Sequence, residues 1–173
     1  PLRLVGSEMC IRDRINNAST YYPTPIESIN ESSWEDLIGT NLKAPLMLSQ
    51  YAVRYLKKSK GAIINITDAQ IGNPKKNYII YSLAKSGLAT LTKSLAKDLS
   101  PDIRVNAVAP GAILWPESNH EFDDRYREKV ISQTLLKKTG SPEDISKAIE
   151  FLLLHAPYIT GQTICIDGGR QYS

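Results

Sequence analysis

The chain has 173 residues, a formal charge of +3 and 42% hydrophobic residues, which fits one packed domain and excludes a disordered polymer. Its lysines fall in small groups such as Lys57, Lys58 and Lys60, the pattern of solvated faces rather than of a nucleic-acid surface, and no apolar run approaches the ~18 residues of a membrane span. Two cysteines (Cys10, Cys165) and two histidines (His120, His155) lie far apart without ligand spacing, so a reduced, cytoplasmic protein without a metal is expected.

Residues Pro1 to Arg14, PLRLVGSEMCIRDR, show neither strand alternation nor a helical stripe and lack the apolar segment of a signal peptide. We expect a non-native leader over 1–14 on a shortened reading frame; an ordinary frayed terminus is the alternative. After the polar, proline-containing loop NNASTYYPTP, a helix is predicted with Asn30 as N-cap and Trp34, Leu37, Ile38, Asn41, Pro45 and Leu48 at helical spacing. Pro45 has no N–H to offer the Asn41 carbonyl, so the helix should kink there. A water held at that carbonyl beside Lys85 would begin a proton relay to solvent. AIINI (Ala62 to Ile66) reads as a buried strand. A second helix opens between Tyr78 and Ser82 and carries Leu88, Leu91, Thr92, Leu95 and Leu99 on one face. Ile103 to Pro110 is the next strand, stopped by Pro-Gly. Residues 115–138 are polar, charged and weakly periodic, as a mobile flap over a site would be. Ser141-Pro142-Glu143-Asp144 has the N-cap, proline and acids of a helix start, and Ile145, Ala148, Ile149, Leu152 and Leu153 continue it. Thr163 to Asp167 is a last strand, ended by Gly168-Gly169.

Strands alternating with helices imply an α/β fold, a parallel sheet with helices on both faces. Ligands of such sheets bind beyond the carboxyl ends of the strands, which singles out Asn16 to Ser19, Thr67-Asp68, Pro110-Gly111 and Asp167 to Gly169. Tyr81 and Lys85, one helical turn apart, share a face. A free tyrosine has a pKa of about 10. An ammonium within ~5 Å lowers it, and a phenol so tuned can give or take a proton at a reacting centre. The plain alternative is a surface tyrosine lying over a lysine stem.

NNAS at a strand end, Asn41 in the following helix, the Tyr81-to-Lys85 YxxxK and Pro110-Gly111 after the next strand together resemble the short-chain dehydrogenases/reductases. The resemblance covers about Ile15 to Gly169. It implies a Rossmann-type doubly wound parallel sheet, of which residues 15–173 are the C-terminal part, with its N-terminal strands missing. It implies an active tetrad of Asn41, Asp68, Tyr81 and Lys85, with Lys85 also holding the nicotinamide ribose. Asn17, Ala18 and Ser19 would lie along the cofactor, and Pro110, Gly111 and Ile113 would bracket the nicotinamide. The full-length parent would be a homo-oligomer, a dimer or tetramer.

Two departures from the family pattern matter. Asp68 stands where the family has a serine. An ionised carboxylate accepts hydrogen bonds only and repels a developing oxyanion, so ketone reduction needs Asp68 protonated or displaced, whereas a nitrogen heterocycle suits it. Trp115 replaces the usual threonine after Pro-Gly. With NNASTYYPTP, these features are similar to the pteridine reductases, which implies NADPH-dependent reduction of a pterin. Tyr21 would then stack on the pterin, Ser19 would contact the pterin or the cofactor, and Trp115 would line the pocket or anchor the flap. The alternatives are a generic short-chain carbonyl or 3-oxoacyl-acyl-carrier-protein reductase, and a catalytically silent scaffold that oligomerises. No glycine-rich turn precedes Asn16, so the pyrophosphate site is expected to be absent, the sheet to keep an exposed flank, and the 173-residue chain to bind NADPH and fold poorly.

Overall fold

The structure, a computed structural model, describes residues 11–114 and 124–173. Four strands, β1 (Asp13–Asn16), β2 (Ala62–Ile66), β3 (Arg104–Pro110) and β4 (Thr163–Ile166), form one sheet in the order β1-β2-β3-β4, every pair parallel. Each crossover is helical. Between β1 and β2 run α1 (Glu31–Ile38), a π-helical turn (Gly39–Lys43) and α2 (Ala44–Ser59); α3 (Ile79–Leu99) joins β2 to β3; α4 (Asp124–Ser132) and α5 (Pro142–Glu150) precede β4. The α/β class read from the sequence is the observed one.

Alternation within β2 separates two cores. Ile63 and Val105 turn one way and pack with Leu56 of α2 and Ala96 of α3. Ile64 and Val108 turn the other way, onto Leu152, Ala148 and Ile149 of the α5 segment. A strand buried on both faces reads as a continuous apolar run, which is why AIINI was legible as it stands. One polar residue interrupts that run. Asn65, fully buried, accepts from Asn16 Nδ2 at 2.7 Å and donates to Thr92 Oγ1 at 2.9 Å. Asn16 Nδ2 also donates to Ser49 Oγ at 3.1 Å. One bonded chain thus ties α2, β1, β2 and α3.

The caps behave as their sequences require. Asn30 Oδ1 accepts from Ser33 N at 2.9 Å, while Ser33 Oγ accepts from Asn30 N. Ser141 and Asp144 form the same reciprocal box at the start of α5. Arg104 reaches from β3 to close the far end of that segment, donating to the carbonyls of Leu152 at 2.7 Å, Leu153 at 3.0 Å and Ala156 at 3.1 Å.

Two expectations change. Asp13 and Arg14, placed in the leader, belong to β1: they pair with Ala62 and Ile63, and Asp13 Oδ1 accepts from Ala62 N at 2.9 Å. A four-residue strand is too short to show its alternation. Residues 124–132 of the expected flap form α4, an almost wholly polar helix held by Val130, which is 2% exposed; with one anchor it has no apolar stripe to read. Residues 133–138 follow as turns, and 115–123 lie outside the described residues. β1 is an edge strand, and its Ile15 is 42% exposed.

Replacing Asn65 by leucine should leave one buried Asn16 N–H without an acceptor and cost about 1–3 kcal/mol. Urea unfolding of the two proteins checks it, with an unchanged m-value marking a pure stability effect.

Candidate active site

Three of the expected site side chains, Asp68, Tyr81 and Lys85, meet at the carboxyl edge of the sheet, and Asn41 does not line their cleft. β2 ends at Ile66, and two residues on Asp68 caps the short 3-10 turn Ala69–Gly72, its Oδ1 accepting from Gln70 N at 2.6 Å. The chain then returns as α3, whose first turn presents Tyr81 and, one turn later, Lys85. Tyr81 Oη donates to Asp68 Oδ2 at 2.8 Å. Lys85, 2% exposed, donates to the Ile66 carbonyl at 2.9 Å and lies 5.7 Å from the Tyr81 ring centre. Asp68, Tyr81 and Lys85 line one cleft of about 40 Å³ together with Tyr21, Gln70 and Tyr78.

Asn41 sits in the π-helical turn, fully buried. A missing N–H at Pro45 breaks the α-helical ladder, and the backbone answers by closing the wider ring: Ala44 N–H bonds Gly39 O. Where the kink was expected, the helix carries this turn. It aims the Asn41 side chain at the loop after β1, where Oδ1 accepts from Ser19 Oγ at 2.6 Å and Nδ2 donates to Thr20 O at 3.0 Å and Leu37 O at 2.9 Å. Gly87 lets the turn lie on α3, since a Cβ there would come within 2.8 Å of Leu42. Asn41 therefore shapes the loop that carries Asn17, Ala18 and Ser19.

Electrostatics correct one expectation. Lys85 was expected to draw the Tyr81 phenol below its usual value. Burial, the Asp68 charge and the hydrogen bond to Asp68 instead push it up, so Tyr81 stays protonated and acts as a donor. Tyr21 is pushed up as well, by burial and then by Tyr78. Burial lowers Lys85 to about 8, against the opposing pull of Asp68.

Tyr21, expected as a stacking platform, is already stacked. Its ring lies 4.5 Å from that of Tyr78 at 23°, and 4.7 Å from that of Tyr81, edge on at 77°. Gln70 and Tyr78 are site residues that sequence reasoning did not single out; Gln70, two residues beyond Asp68 at a strand end, had a positional signal, and Tyr78 had none. Gly111, at the end of β3, packs against Asp167, whose Cα would lie 2.6 Å from an added Cβ. Ile113 meets Gly140 ahead of α5 in the same way, at 2.7 Å. Trp115 lies outside the described residues.

An ammonium has three N–H groups, and Lys85 spends one on Ile66 O. The others, buried at the cleft wall, fit a vicinal ribose diol, so Lys85 is the residue here best suited to hold a nicotinamide nucleoside. Asn17 and Ala18, in the loop after β1, are exposed, and Pro110 to Ile113, at the end of β3 and just after it, are half-buried. Among the described residues no cluster of His, Cys, Asp or Glu could hold a metal ion, and no helix is long and apolar enough to cross a membrane.

The family model described as enoyl-(acyl carrier protein) reductase matches residues 13–171. The 3-oxoacyl-[acyl-carrier-protein] reductase FabG of Thermotoga maritima is 36% identical over 160 residues, which cover 90% of this chain and 64% of that protein. A tropinone reductase homolog of Arabidopsis thaliana is 37% identical over 164 residues, 90% of this chain and 59% of the relative. The chain thus spans about three-fifths of the length of these curated relatives. The solved structure of an apo SCOR enzyme from Clostridium thermocellum superposes with a TM-score of 0.83 at 32% identity, covering 94% of this chain and 63% of that one.

The depressed Lys85 fixes a pH dependence. Between about pH 8 and 10 the unfolded chain keeps the lysine proton that the folded chain has released, so folding stability should rise with pH across that window, by roughly 1–3 kcal/mol. Denaturant titrations at pH values through the window should show the rise in the parent and not in Lys85→Met.

Proposed function

The chain belongs to the short-chain dehydrogenase/reductase family, and on that footing we propose that the protein is an NAD(P)H-dependent oxidoreductase that reduces a ketone of the 3-oxoacyl or small-carbonyl type. The observation that carries this is the meeting of Tyr81 and Asp68 at 2.8 Å in a cleft walled by Lys85. The bound nicotinamide would supply the hydride. Lys85 would hold its ribose, and the Asn17-Ala18 loop and the Pro110–Ile113 turn would flank it. Tyr81, kept protonated by burial and by Asp68, gives its proton to the carbonyl oxygen as negative charge gathers there. For that the phenol hydrogen turns from Asp68 Oδ2 to the substrate oxygen. The proton it gives up is replaced from solvent, and Asp68 Oδ2 is the acceptor that orients the refilled phenol.

The pterin reading has less support. The relatives are named for 3-oxoacyl-[acyl-carrier-protein] and tropinone reduction, and Tyr78 already stacks on one face of Tyr21. The carbonyl reading fits both. We propose NADPH rather than NADH as the cofactor.

Nicotinamide oxidation by the protein, followed by absorbance with an acetoacetyl thioester and with dihydrobiopterin, tests the reading; turnover of the pterin alone would overturn it. Tyr81→Phe should lower ketone turnover by about 10²–10⁴-fold. In Asp68→Ser the hydroxyl can accept from Tyr81 and also donate to the substrate oxygen. Ketone reduction should therefore persist or rise. Loss of ketone turnover in this variant would count against the carbonyl reading.

A further inference from the structure

We infer that the substrate carries a carboxylate and that the cleft next to the Tyr81 compartment receives it, with the Arg170 guanidinium as the anchor. The inference rests on the carbonyl-reductase reading and names its substrate class. The second cleft, of about 290 Å³, lies between the turn after Asp68 and the C-terminal segment, lined among others by Gln70, Gly111, Gln133, Asp167, Arg170 and Gln171. Gln70 lines both clefts, so they adjoin at the residue whose backbone N–H holds Asp68. The Tyr81 compartment, at about 40 Å³, has room for a reacting group and little more. The second volume is near the lower end for small-ligand sites, and a molecule with its carbonyl at Tyr81 would extend into it.

The two charged side chains of this cleft, Asp167 and Arg170, do not pair with each other. Asp167 is 7% exposed, and its oxygens are spent on the chain: Oδ1 accepts from Gly169 N at 2.9 Å and Oδ2 from Gln171 N at 2.9 Å. Arg170 donates at 3.1 Å to Gln133 Oε1, a neutral acceptor. Among the described residues no carboxylate pairs with Arg170. The other lining side chains are neutral, and several carry amides. A guanidinium with N–H groups to spare, set among amide donors, matches the flat two-oxygen face of a carboxylate. A phosphate monoester brings about −1.5 to −2 charge, and the cleft has no second cation for it. The class is therefore an oxo acid, reduced to a hydroxy acid with the carboxylate left unchanged.

The full 173-residue chain is tested with levulinate, methyl levulinate and further oxo acids that differ in the spacing of ketone and carboxylate. For the best-spaced acid, kcat/KM should exceed that of its methyl ester by about tenfold or more. Arg170→Gln should raise KM for the acid by about 10–100-fold while leaving the ester and kcat nearly unchanged, and Arg170→Lys should restore part of the loss. Equal turnover of acid and ester, or an equal effect of Arg170→Gln on both, overturns the inference. A second arm needs no turnover: isothermal titration with non-reducible carboxylates, and with inorganic phosphate, against the parent and Arg170→Gln. Carboxylate binding lost in the variant, with no ketone reduced, would preserve the site and sink the reductase reading. Ketone reduction without Arg170-dependent carboxylate binding would do the reverse. Phosphate binding tighter than carboxylate would refute the assigned class.

Discussion

Most of this fold hangs on the buried hydrogen-bonded chain that links Ser49, Asn16, Asn65 and Thr92. Apolar packing alone specifies the register of a short strand buried on both faces less sharply, because either face accepts an apolar side chain. A slip of one residue would leave these amides unpaired in the interior, at a cost far above any gain in packing. The polar chain therefore fixes the register of β1 on β2 and the height of α3 over the sheet. Everything at the carboxyl edge inherits those two settings. Asp68 follows β2 by two residues, and Lys85 reaches back to the last carbonyl of the same strand, so the 2.8 Å contact of Tyr81 with Asp68 follows from where α3 has been placed.

Much of this was readable from the residues alone, and the failures have definite causes. AIINI was read to its observed boundaries because burial on both faces leaves an uninterrupted apolar run. Asn30 and Ser141 were read as caps because the partners that complete a cap lie within three residues. Where the deciding partner is remote, the reading went wrong or stopped. The spacing of Tyr81 and Lys85 suggested a phenol pulled toward ionisation, yet the carboxylate and the burial that reverse the sign are set by the sheet. Tyr21 looked like a free aromatic platform because nothing local announces Tyr78, which reaches it only after the β2 to α3 connection closes. α4 was missed because one buried valine makes no stripe.

Asp68 has a different meaning in three dimensions from the one it has as a substitution. As a letter in a motif it replaces a hydroxyl with a group that cannot donate. In the structure it is held on one side by a backbone N–H and on the other by a phenol, so it has become the second member of a donor–acceptor pair. A serine in the same place could accept from the phenol and also donate onward; the carboxylate only accepts, so it holds the phenol as a donor.

The π-helical turn at Gly39–Lys43 carries a consequence for how this protein can change over evolutionary time. Such a turn is an α-helix with one residue too many, and each residue corresponds to a rotation of about 100° around the axis. Deleting any one of those five positions would let the helix relax to regular geometry. The side chains on one side of the cut would then swing by that angle relative to the other, and Asn41 would lose its hold on the Ser19 loop. The placement of this asparagine is thus recorded in the number of residues around it as much as in its own identity. Descendants can exchange the neighbours freely, but not their count.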